Sequence, residues 1–72
     1  MTEVLMSDLQ PHQQRVVDEK AELDERLGKL DVFIKSNPVF GKLSDKDQEL
    51  LTAQRGAMQE YSDILSQRID LF

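Results

Sequence analysis

Polar and aromatic side chains at helix positions that are usually apolar are the residues of this chain best suited to bind a ligand. Such positions are apolar because burying a polar group costs free energy unless it gains a partner. Antiparallel pairing of the two predicted helices about Phe40 would gather these residues toward the open end of a hairpin. There the arginines could hold an anion through paired N–H groups, a lysine could act as a point charge, and a tyrosine could stack. The polar residues at such positions are Gln13 and Lys20 on helix 1 and Gln54 and Arg68 on helix 2, and the pairing places His12, Arg15 and Tyr61 near them. The candidate ligand-binding residues are His12, Gln13, Arg15, Lys20, Tyr61 and Arg68.

A structural role for the same residues is the alternative. In that interpretation Lys20 extends along apolar surface to Glu60, and Arg68 pairs with an acid of a neighbouring subunit. Tyr61 then belongs to the core with its hydroxyl in water. Polar residues at such positions can also set the register of paired helices.

The residue types in the sequence do not indicate a catalytic site. The chain has one His and no Cys, and it contains no Gly-rich phosphate loop, zinc pattern or nucleophile elbow. Nothing places Ser62, Asp63 and His12 together as a triad. We therefore expect no enzyme, no cofactor and no metal site.

Apolar residues recur with helical spacing in two long segments, which predicts an all-α protein built as an antiparallel two-helix hairpin. Helix 1 is expected over about residues 9–36, a loop over 37–44 and helix 2 over about 45–71, with residues 1–8 as a flexible N-terminal arm. Pro11, Pro38 and the Ser44-x-x-Asp47 pattern mark the predicted ends. Phe40 is expected to fold back over the loop end. Two sets recur every seven residues in helix 1: Val16, Leu23 and Leu30, and the interleaved Lys20, Leu27 and Ile34.

Helix 2 has more apolar surface than one partner helix can cover. It offers two apolar lines, Leu50-Ala57-Ile64-Leu71 and Leu51-Met58-Leu65-Phe72. A chain of 72 residues without Cys has little else to stabilise it. The pattern therefore predicts a homo-oligomeric helical bundle, either a dimer with a four-helix core or a higher assembly.

Charge and hydropathy exclude several partners. The net charge is −5, with acids and bases interleaved, so a continuous basic face for DNA or RNA is not expected. No apolar run in the chain is longer than the three residues of Val4 to Met6, which is far too short to span a membrane.

Two motifs carry a resemblance to a known family. The stretch from Pro11 to Lys20 followed by Leu23, and the closing Met58-x-x-Tyr61-x-x-x-Leu65-x-x-Arg68-Ile69, resemble small phage and prophage proteins related to a crAss-like phage protein of unknown function. The resemblance implies a phage origin and a setting in the host cytoplasm. The helical plan is also similar to phage anti-defence sponge proteins, whose oligomers sequester nucleotide-derived immune signals.

These observations leave two functions open. The first is a non-enzymatic oligomer that sequesters an anionic bacterial immune signal of cyclic nucleotide or ADP-ribose type. The alternative is a small interaction or adaptor protein that binds a host or phage protein through its apolar helical face.

Overall fold

A computed structural model describes residues 9–72 of the chain. The arm predicted for residues 1–8 lies outside the described residues. Three helices make up the described part: α1 (Pro11–Ser36), α2 (Pro38–Lys42) and α3 (Asp45–Asp70). The all-α prediction is confirmed, and no described helix is long and apolar enough to cross a membrane.

Proline and side-chain caps set both ends of α1. Pro11 occupies the first turn, where its missing N–H costs no hydrogen bond. The side-chain oxygen of Gln13 accepts a hydrogen bond from the backbone N–H of Gln10 at 2.9 Å. At the other end Asn37 is extended, with φ −88° and ψ 122°, as expected for a residue that precedes a proline.

The connection expected as a loop over residues 37–44 contains the five-residue helix α2. Pro38, which prevents α1 from continuing, is also well suited to begin a new helix. The Asn37 side chain caps this helix by accepting from the N–H of Val39 at 2.9 Å. Phe40 folds back onto Phe33 as predicted, with ring centroids 6.0 Å apart in an edge-to-face arrangement.

The start of α3 follows the capping pattern in the sequence. The Ser44 hydroxyl accepts from the N–H of Asp47 at 3.1 Å. Asp45 and Asp47 lie in the first turn and Arg68 in the last, so each charge complements the adjacent end of the helix dipole. These local contacts explain why α3 begins at Asp45.

α1 and α3 pack antiparallel along one another and form the hairpin. Their direction follows from side-chain contacts that join Lys20 to Ser62 and Asp31 to Arg55. The described chain is slender, with extents of 51 × 17 × 15 Å. Few of the described apolar residues are buried: Val16, Leu23, Leu27 and Leu65. Of these four, only Leu65 is completely buried.

Candidate functional site

A partly buried polar cluster joins α1 to α3 at the point where the sequence places Lys20 on an apolar seam. The Lys20 ammonium donates to Asp24 Oδ2 at 2.5 Å and to the Ser62 hydroxyl at 3.2 Å. Ser62 in turn donates to Asp24 Oδ1 and is only 4% exposed. Each of the three side chains has a partner in this small network, so the cluster holds α1 and α3 in one register.

The charge on Asp24 is stabilised by this network. Hydrogen bonds from Lys20 and then from Ser62 lower the pKa of Asp24 below its ordinary 3.8, and they outweigh the opposing effect of partial desolvation. Asp24 is therefore a permanent anion near neutral pH. The Lys20 charge is matched within the chain, by Asp24 and not by Glu60 as in the structural alternative above.

Tyr61 crosses from α3 to α1 immediately beside this cluster. Its hydroxyl donates a hydrogen bond to the carboxylate of Glu19. The residue is 42% exposed, so it lies at the edge of the hairpin and not in its core. Part of its ring remains available to a ligand or to another chain.

A second polar contact, near the loop end, was not anticipated from the sequence. Arg55 donates to Asp31, and Asp31 also pairs with Lys35 at 3.1 Å. Hydrogen bonds from Arg55 and then Lys35 lower the pKa of Asp31 below 3.8. The position of Arg55 could have predicted this contact, because Arg55 lies at the same helical spacing as the α3 residues that contact α1.

The remaining candidates lie at the open end of the hairpin. Gln13 is engaged in the cap of α1. His12, Arg15 and Arg68 are exposed, and none of them forms an ion pair with another residue between 9 and 72. Because Lys20 pairs with Ser62, antiparallel geometry places Arg15 across from the last turns of α3, where Arg68 lies.

The side of α3 next to the one that faces α1 carries a continuous exposed line. We call it the open seam, and all its residues are exposed in the single chain: Asp47, Leu50, Gln54, Ala57, Tyr61, Ile64, Arg68 and Leu71. Leu50 is 54% exposed, Ile64 53% and Leu71 86%. The apolar line Leu50-Ala57-Ile64-Leu71 is therefore the one that the hairpin leaves uncovered.

The arrangement offers side chains that are able to bind a partner. Among residues 9–72, no group of three or more His, Asp or Glu side chains is placed to hold a metal ion. The Ser62 hydroxyl is buried and committed to Asp24 and Lys20. Two features of the described residues are able to contact a partner. One is the group of three exposed cationic or ionisable side chains at the open end, and the other is the apolar line along one side.

Comparison with known proteins adds a family. The family described as Sequestin matches residues 10–71, a range that includes the three helices up to Asp70 and all six candidate residues. No curated protein and no solved structure matches the chain. The family name describes sequestration, which is binding and not a reaction. The chain belongs to the Sequestin family.

Proposed function

We propose that this protein is a phage-encoded, non-enzymatic homo-oligomer that sequesters an anionic, nucleotide-derived bacterial immune signal in the host cytoplasm. The observation that carries the proposal is the Sequestin match over residues 10–71. The resemblance of the Pro11 to Lys20 stretch to phage and prophage proteins supports the proposed origin. Cyclic nucleotides and ADP-ribose derivatives are the proposed ligand class, because both carry the phosphates that exposed arginines recognise.

The open end of the hairpin is the proposed binding site. Although the chain as a whole is acidic, His12, Arg15 and Arg68 are exposed there without an ion pair among the described residues. An arginine that keeps all its donors can bind a phosphate through two parallel hydrogen bonds. Tyr61 supplies a half-exposed ring for stacking. Gln13 and Lys20 are engaged within the chain, and in this proposal they support the site and leave direct contact to the others.

Calorimetric titration with a panel of cyclic dinucleotides and cyclic ADP-ribose products tests the proposal. We expect micromolar or tighter binding of at least one compound, with the ligand recovered intact by mass spectrometry. Arg15→Ala should weaken binding at least tenfold, because one charge-assisted contact is worth about 1.5–3 kcal/mol. The matched control is Arg26→Ala, which removes an exposed arginine from the same helix, away from the open end. Absence of binding across the panel, or turnover of the bound compound, would contradict the proposal.

The exposed apolar residues of the open seam favour the second candidate, an adaptor that binds a host or phage protein. Capture from infected-cell lysate with the native protein, and with Ile64→Lys as a control, separates the two. An adaptor should retain one specific protein that the variant loses. A sequestering protein should retain its small molecule in both.

A further inference from the structure

The open seam has the spacing of a helix interface. Along α3 its residues are separated alternately by three and four positions, the repeat that keeps side chains in contact with one partner helix. The residues that face α1 follow the same repeat one position later, as Leu51, Arg55, Met58, Ser62 and Leu65 show. α3 therefore carries two adjacent seams, and the hairpin covers only one of them.

The charges on the open seam indicate what covers it. Only two of its residues are charged, Asp47 near the start of α3 and Arg68 near the end. Neither forms a side-chain ion pair with another residue between 9 and 72. They are 21 positions apart, about 32 Å along a helix. An antiparallel copy of the same seam would therefore place opposite charges together at both ends, whereas a parallel copy would place like charges together.

We propose that a second copy of this chain packs antiparallel against the open seam, with Arg68 of each copy paired with Asp47 of the other. The sizes of the side chains on the open seam favour the same antiparallel arrangement as the charges. The alignment that sets Ala57 opposite Tyr61, a small residue against the largest, brings Arg68 within one helical turn of Asp47, about 5 Å. A two-fold interface of this kind is closed and self-complementary.

This proposal rests on the proposed function, which includes a homo-oligomer, and it names the residues that join the copies. It also divides the open end of the hairpin between two tasks. Tyr61 and Arg68 contact the second copy in the dimer, so the direct contacts with the anion fall to His12 and Arg15. Dimerisation buries Leu50, Ile64 and Leu71, which the single chain exposes.

Sedimentation equilibrium of charge-reversed variants, without any ligand, tests the interface. We expect the native chain to dimerise, and Asp47→Arg and Arg68→Asp each to raise the dimer dissociation constant at least tenfold, because each places like charges together twice. The double variant Asp47→Arg/Arg68→Asp should associate like the native chain. The matched control is Asp63→Arg, which makes the same charge change on the side of α3 opposite the open seam.

An equimolar mixture of the two single variants shows whether weaker association comes from the charges or from a loss of folding. Each variant alone has like charges at the interface, but the two together restore both opposite pairs, so the mixture should regain the native dissociation constant. The interface is overturned, with the oligomer left intact, if the single variants associate as the native chain does or if the mixture fails to recover. A native chain that stays monomeric removes both the interface and the proposed oligomer. Loss of ligand binding by a normal dimer would instead count against the sequestering function alone.

Discussion

Replacing Leu65 with alanine is the most direct test of where the core lies. Leu65 is 0% exposed and packs in one cluster with Val16 and Leu23, bordered by Met58 and Ile69. Removing a buried leucine costs about 2–5 kcal/mol, the larger values belonging to sites that cannot collapse around the cavity. A slender hairpin can partly collapse, so we expect about 3 kcal/mol, more than a hundredfold change in the folding equilibrium.

That loss is large for a chain of this size. A domain of 72 residues has a total unfolding free energy of about 4–11 kcal/mol on the usual scale per residue. Leu65→Ala should therefore lower the midpoint of thermal unfolding by about 12–24 °C, since each kcal/mol shifts a small domain by about 4–8 °C. Urea unfolding followed by circular dichroism measures the change in free energy.

The adjacent residue provides a matched control. Ile64→Ala removes an isomeric side chain from the same helix, but Ile64 is 53% exposed in the single chain. In dilute protein it should cost less than about 1 kcal/mol, and its cost should grow with concentration if a second copy covers it. Equal losses for both substitutions in the most dilute samples would refute the assignment of Leu65 to the centre of the core.

Two further predictions concern the polar contacts that join α1 to α3. Ser62→Ala should cost about 1–2 kcal/mol, because it removes the partner that Lys20 and Asp24 share inside the hairpin; an unchanged urea midpoint would show that the cluster does not contribute to stability. The pKa values of Asp24 and Asp31 lie below 3.8 in the folded chain, so both carboxylates stabilise the fold above that pH, and their contribution disappears as the pH falls through their folded pKa values. Thermal midpoints should thus drop below about pH 4, and Asp24→Asn/Asp31→Asn should flatten the drop; an equally steep loss in the double variant would assign it to other groups.

Local signals in the sequence predicted the helices because their causes are local. Pro11 and the Ser44 cap act within one turn of the residues they affect, and both appear in the structure as expected. The seven-residue repeat of Val16 and Leu23 likewise requires only helical geometry. α2 escaped the prediction because Pro38 both ends one helix and begins another, and the prediction used only the first of these two roles.

The candidate site was less predictable because it depends on the rotation of α3 about its own axis. The sequence identified Lys20 as a polar residue on a seam, but the alternative matched it with Glu60, and the structure shows Asp24 and Ser62 as its partners. The contact between Arg55 and Asp31 was missed for the same reason. A rotation of about 100°, one residue, would exchange the two seams of α3.

Backbone sterics, capping and periodicity act over a few residues, so the printed sequence is enough to establish that the chain is helical and where its long helices begin. It is also enough to show that α3 has more apolar surface than one neighbour can cover. Which seam of α3 meets α1 is a property of the folded hairpin, because the line through Ile64 and the line through Leu65 are almost equally apolar and the choice depends on long-range contacts. Packing of Leu65 against Val16 and the pairing of Ser62 with Lys20 make that choice, and they leave the other seam exposed.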